Sequence, residues 1–162
     1  MKHLISSDFI NKNWDKIMDL TNHKHEFLPF LPIESINQHI NEFSPTELIQ
    51  NVKLPKDLFN SVVEEIEEQK TVRNVEHYFC NDIDSPNIKY INEQFIINHP
   101  LIFNSFYYAG QNVKLSEEFL LKYIKKFDPE AIENLLNNPD GVNYKTAQKI
   151  KDKLIDIYYY DK

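Results

Sequence analysis

The sequence predicts an all-α protein, and three observations carry that expectation. Apolar residues recur at intervals of three and four, residues that start helices punctuate the chain, and no long apolar/polar alternation marks a sheet. With 162 residues, a single all-α domain spanning 1–162 is expected. Roughly seven to nine short helices, packed as stacked or irregular helix pairs, fit this length.

The elements follow in chain order. Residues Ile5–Ile17, ISSDFINKNWDKI, read as a short helix. Ser44-Pro45-Thr46-Glu47 marks a helix start: a hydroxyl cap, a proline at the first helical position and a capping-box glutamate. Pro32, Pro55 and Pro86 also suit first turns. Leu58, Phe59, Val62, Val63 and Ile66 line one face of an amphipathic helix, and Glu64, Glu65, Glu67 and Glu68 lie between them on the outer side. Between Thr71 and Tyr90, Val72, Val75, Tyr78 and Phe79 suit either one helix or a short hairpin. Leu115, Phe119, Leu120, Tyr123, Ile124 and Phe127 make a second amphipathic helix, started by Ser116-Glu117-Glu118. Asp128-Pro129-Glu130 opens another. Asn138-Pro139-Asp140-Gly141 is a stop and turn, and Ala147, Ile150, Leu154, Ile157 and Tyr158 form a C-terminal helix.

An internal repeat emerges from these starts. LPIESINQHINEFSPTEL from Leu31 aligns without gaps to LSEEFLLKYIKKFDPEAI from Leu115. The matched positions are Leu31/Leu115, Ile36/Leu120, Ile40/Ile124, Phe43/Phe127, Ser44/Asp128, Pro45/Pro129 and Leu48/Ile132. A partial copy starts at Leu54, with Phe59, Val63 and Ile66 at the same offsets, and weaker copies start near Leu4 and Ile91. The expected unit is a helix, a capped break and a second helix, with Phe43 and Phe127 buried at equivalent corners. LSEEFLLKYIKKFDPEAI resembles the short helical repeats found in proteins of giant DNA viruses and some phages, and Ile5–Ile17 resembles a shortened copy. The resemblance implies helical architecture and a viral or phage source. It brings no catalytic residue with it.

Composition excludes several functions. The chain holds 18 Asn, 19 Ile and 17 Lys but one Arg, three Ala and two Gly. That bias is the mark of an AT-rich gene, as in low-GC bacteria, their phages and some giant viruses. Two glycines, Gly110 and Gly141, cannot build a P-loop, a dinucleotide fingerprint or a kinase Gly-rich loop, because each needs several glycines close together. No apolar run approaches the ~18–20 residues of a membrane span, and mean hydropathy is -0.53. The N-terminal residues carry Asp8 and Asp15 without an apolar stretch, unlike a secretory leader. One cysteine, Cys80, excludes an internal disulfide. A cytoplasmic protein, of the host cell if viral, is expected.

No constellation points to catalysis, so the expectation is a protein that is not an enzyme, with no cofactor and no metal. Six histidines, His3, His23, His25, His39, His77 and His99, show no metal-ligand spacing; His23-x-His25 and His77-x-x-Cys80 are each half a site. Cys80 lies in an acidic stretch, which disfavours a thiolate. Charge is the more informative feature. The net charge is -7. Residues 57–84 hold eight acids (Asp57, Glu64, Glu65, Glu67, Glu68, Glu76, Asp82 and Asp84) against Lys70 and Arg73, whereas residues 101–162 are balanced at nine acids and nine lysines. A one-sided acidic face attracts a basic protein and speeds its encounter. Exposed tyrosines suit an interface, so Tyr107 and Tyr108 join Glu64, Glu65, Glu67 and Glu68 as candidate partner-binding residues.

A second resemblance supports a different function. Gly141-Val142-Asn143-Tyr144-Lys145-Thr146-Ala147-Gln148-Lys149-Ile150 resembles a helix-hairpin-helix, the small motif that holds a DNA phosphate on the backbone of its turn. The resemblance implies DNA contacts at Gly141, Asn143, Lys145 and Lys149. Asn143 stands where the family has its second glycine and Tyr144 where it has a proline. The expected function is therefore a non-enzymatic accessory protein, of phage or viral origin, that docks on a host protein with a basic surface and inhibits it. Nucleic-acid binding through the C-terminal turn is the alternative.

Overall fold

The computed structural model describes residues 6–19, 24–69, 75–81, 84–103, 106–137 and 144–160, with the backbone alone at 24, 25, 144 and 158–160. It is 75% helical and has no strand or sheet among the described residues. The protein is all-α. Its contacts group into two compact units, Met1–Gln69 and Lys70–Lys162.

The first unit contains α1 (Ser7–Lys12), α2 (Trp14–Asp19), α3 (Lys24–Phe27), α4 (Ile33–Gln38), α5 (Pro45–Asn51) and α6 (Lys56–Glu68). Here α1 packs on α4 and α5 on α6. The second unit contains α7 (Glu76–Cys80), α8 (Glu93–Asn98), α9 (Tyr107–Asn112), α10 (Glu117–Tyr123), α11 (Pro129–Asn137) and α12 (Tyr144–Tyr160). In it α9 packs on both α7 and α11, and α10 packs on α12. These twelve α-helices among the described residues exceed the seven to nine expected, because helices read as continuous are broken. Ile5–Ile17 is one such case, divided between α1 and α2; within Leu115–Phe127, α10 ends at Tyr123 and Ile124–Lys126 is a 3-10 turn.

Those breaks follow the repeat. Counted from Leu31, Leu54, Ile91 and Leu115, the next residue is the helix N-cap each time: Pro32, Pro55, Asn92 and Ser116; the first copy, read as starting near Leu4, fits when counted from Ile5, one residue later, with Ser6 as its N-cap. Ser6, Asn92 and Ser116 accept a hydrogen bond from the backbone N–H of Phe9, Phe95 and Phe119. The two prolines stand one position earlier than the first-turn placement expected of them. The fourth helical residue is buried in every copy: Ile10, Ile36, Phe59, Ile96 and Leu120. Leu54 and Ile91, on the other side of the cap, are buried too. An apolar residue before the cap and another four positions into the helix are the two halves of a hydrophobic staple, which fixes the angle at which the chain enters a helix.

Four of the five first helices then stop at one position. Asn13, His39, His99 and Tyr123 leave helical geometry with φ of -114°, -116°, -118° and -106°. In the copies at Leu31 and Leu115 a 3-10 turn follows, Ile40–Glu42 or Ile124–Lys126. Phe43 and Phe127 then extend the chain, with ψ of 145° and 135°. Pro45 and Pro129 each open the second helix, and both phenylalanines are buried. Ser44 forms the full capping box with Glu47, and Asp128 Oδ1 accepts from the Glu130 N–H at 2.9 Å. The repeat is thus structural at its corners. Its second helices differ in register, since Leu48 is buried while Ile132 is half-exposed. The copy at Leu54 departs from the pattern: α6 runs through thirteen residues without a break.

Acidic side chains join alternate helices of the second unit. Glu93 of α8 accepts from the Ser116 N–H at the start of α10, and Glu117 of α10 accepts from Thr146 and Lys149 of α12. Phe106 precedes α9 in the left-handed region at φ 50°, at a cost of about 1–2 kcal/mol for a residue with a Cβ. Its buried ring meets Phe119, Tyr123 and Phe127 at centroid distances of 5.9, 6.2 and 5.2 Å. That burial offsets the strain. A Cβ placed on Gly110 would lie 3.1 Å from Phe127 Cε1. Glycine there is what lets α9 approach the Phe127 ring so closely.

Candidate functional site: an acidic helix face

Helix α6 presents the predicted acidic face. Phe59, Val62, Val63 and Ile66 are buried, with Val62 and Phe59 fully so, and they fix the rotation of the helix about its axis. Glu64, Glu65 and Glu68 therefore point outward and are exposed; Glu67 is half-buried. Asp57, in the first turn, is also exposed and favourably placed at the positive end of the helix dipole. Glu64 and Glu65 lie four and three residues before Glu68, so the three carboxylates form one exposed patch of like charge on the helix.

Of the remaining acids of the 57–84 stretch, Glu76 adds nothing to that exposed charge. Glu76 was counted with them in the sequence, but it is 3% exposed. Its Oε1 accepts from the Ala109 N–H at 2.7 Å. It serves as the cap that Phe106 cannot supply to α9. At the other end of the same pair, Asn112 Nδ2 donates to the carbonyls of Cys80 and Asn81 at 2.8 and 3.1 Å. Helices α7 and α9 therefore run parallel and satisfy each other's orphan backbone groups. Asp82 lies outside the described residues.

Tyr107 and Tyr108 are half-buried on α9, packed edge to face at 4.8 Å, and the Tyr108 ring lies 6.0 Å from His77. They belong to the second unit and the α6 carboxylates to the first. The side chains of Tyr158, Tyr159 and Tyr160 lie outside the described residues.

Cys80 is fully buried, and burial first and the nearby Glu76 second push its thiol far above the ordinary range. No group of three or more metal-ligating side chains occurs among the described residues. His39 stacks on Trp14 at 3.8 Å and Glu42 accepts from the Trp14 indole N–H at 2.9 Å. That cluster ties α2 to the corner before Phe43. His3 and His23 lie outside the described residues, as does the side chain of His25.

Of the helix-hairpin-helix residues, Gly141 and Asn143 lie outside the described residues. Lys145 is exposed. Lys149 donates to Glu117, and Thr146 is buried with its hydroxyl 2.5 Å from the same carboxylate. Those two bonds, Lys149 first, hold the Glu117 carboxyl below the usual range.

The sequence concealed a second charged feature. A cleft of about 610 Å³ opens between the end of α10 and the outer part of α12. Lys122, Lys125, Lys126 and Lys153 line it, with Asp156 the one acid and Tyr123 and Ile157 among its apolar walls. Residues 101–162 are neutral as a sum, and the fold segregates part of that sum: Glu117 takes up Lys149, and Lys122, Lys125, Lys126 and Lys153 gather around the cleft.

Comparison of the chain with protein-family models, curated proteins and solved structures gave no match in any of the three.

Proposed function

We propose that the protein is a non-enzymatic docking protein that presents the acidic face of α6 to a partner with a basic surface. The observation that carries this reading is the set of exposed carboxylates Glu64, Glu65 and Glu68 on a helix whose opposite face is locked into the core. A fixed array of like charge raises the encounter rate with a cationic surface and rejects anionic ones. Tyr107 and Tyr108 are the aromatic contacts we assign to the same function. The AT-rich composition and the resemblance of Leu115–Ile132 to viral helical repeats support a phage or viral source, with a cytoplasmic host protein as the partner that docking inhibits.

The test is capture from a low-GC bacterial lysate by the wild-type protein and by the variant Glu64→Lys/Glu65→Lys/Glu68→Lys. The reading expects a protein with a basic surface that the wild type retains and the variant releases. Identical retention by both would refute it.

A further inference from the structure

The lysine cleft carries an inference separate from the acidic face. Lys122, Lys125 and Lys126 come from the last turn of α10 and the 3-10 turn that ends it, and Lys153 faces them from α12. Among the described residues no carboxylate pairs with Lys122, Lys126 or Lys153. Two of the ammonium groups are held instead over aromatic rings: Lys122 Nζ is 5.1 Å from the Tyr123 centroid and Lys126 Nζ is 5.8 Å from that of Phe106. Cation–π contact positions a charge without neutralising it. Lys149, one turn from Lys153 on α12, shows what neutralisation looks like: it is hydrogen-bonded to Glu117.

The dimensions suit a small ligand. Clefts that enclose small molecules measure about 300–1,000 Å³, and this one is about 610 Å³. Lys122, Lys126 and Lys153 against the single carboxylate of Asp156 select an anion of high charge. Lysine ammonium groups are compact point charges with three donors each, and they reach a ligand from separate directions. A phosphate chain, with oxygens on every side, satisfies donors arranged in that way; a single carboxylate does not.

We propose that this cleft binds the polyphosphate group of a small anionic ligand, with Lys122, Lys126 and Lys153 as its principal contacts. The same chemistry is offered by inorganic polyphosphate and by a nucleoside triphosphate. Tyr123 and Ile157 give the second of these an apolar wall against which its nucleoside can lie.

The experiment is isothermal titration of the full chain with tripolyphosphate, adenosine triphosphate and a thymidine oligonucleotide at moderate salt. Lys122→Gln/Lys126→Gln/Lys153→Gln is compared with Lys53→Gln/Lys56→Gln/Lys89→Gln, which removes the same charge from exposed lysines elsewhere. Circular dichroism confirms that both variants keep the helical content of the wild type. Tripolyphosphate should bind the wild type, and the cleft variant should lose at least about tenfold in affinity while the control variant changes less than twofold. Adenosine triphosphate binding more tightly than tripolyphosphate identifies the nucleotide as the source, and equal or weaker binding identifies inorganic polyphosphate. Absence of binding by both phosphates, an equal loss in the two variants, or tighter binding of the oligonucleotide than of either phosphate would overturn the proposal.

Discussion

Truncating Phe127 to alanine tests whether the repeat's corners hold the fold together. Phe127 is 7% exposed and packs edge to face on Phe106 at 5.2 Å. Two of its ring atoms lie under Gly110, 3.1 and 3.2 Å from where a Cβ would sit. Removing a buried phenylalanine side chain costs about 3–5 kcal/mol, of which one aromatic pair accounts for about 0.5–1.5 kcal/mol. Contacts with α9 on one side and the Phe106 ring on another leave little room for collapse, so about 4 kcal/mol is expected. For a chain of this size that lowers Tm on the order of 10 °C. The equivalent corner, Phe43, is 6% exposed and sits edge to face on Trp14 at 5.9 Å, so Phe43→Ala should cost a similar amount. The control is Phe30→Ala, since Phe30 is 78% exposed and its loss should stay within about 0.5 kcal/mol. Urea denaturation followed by circular dichroism measures all three. If Phe127→Ala costs no more than Phe30→Ala, burial at the corner does not stabilise the fold and the reasoning fails.

Three further outcomes follow. Gly110→Ala should destabilise by about 1 kcal/mol, because overpacking against Phe127 outweighs the gain in helix propensity; in a Phe127→Ala background the same change should stabilise, a sign reversal that a double-mutant cycle reads directly. Glu117 has its carboxyl held low in the folded state, first by Lys149 and then by Thr146. Its stabilisation is therefore present above the unfolded carboxylate range and lost as pH falls through the lowered folded value; acid titrations of stability should be flatter for Glu117→Gln than for the wild type over that window. Cys80 should resist iodoacetamide at pH 8 in the folded protein and react on unfolding, because burial and Glu76 suppress its thiolate; mass spectrometry of the labelled chain gives the answer.

How far the sequence disclosed this architecture depended on how local each cause is. Ser44, Pro45 and Glu47, and likewise Asp128 and Pro129, act within one helical turn. Their helix starts were readable, and so were the corner phenylalanines just before them. The amphipathic face of α6 was readable because Phe59, Val62, Val63 and Ile66 keep one period from end to end. The break at Tyr123 was not, because Leu120, Ile124 and Phe127 continue an apolar spacing through the 3-10 turn as if the helix ran on. Glu76 was misplaced on the acidic surface for a different reason. What buries it is the Ala109 N–H, contributed by a helix 33 residues away, and no local pattern encodes that partner. The lysine cleft was hidden in the same way: Lys153 joins Lys122, Lys125 and Lys126 through the packing of α12 on α10.

The measurement that bears most directly on the docking function is the association rate of the isolated complex as a function of salt, for the wild type and for Glu64→Lys/Glu65→Lys/Glu68→Lys. The account predicts that reversing these exposed charges slows association at least about tenfold at low ionic strength, leaves the dissociation rate within a few-fold, and loses most of its effect once the Debye length falls to ~3 Å near 1 M salt. Equal association rates for the two proteins at low salt would contradict it.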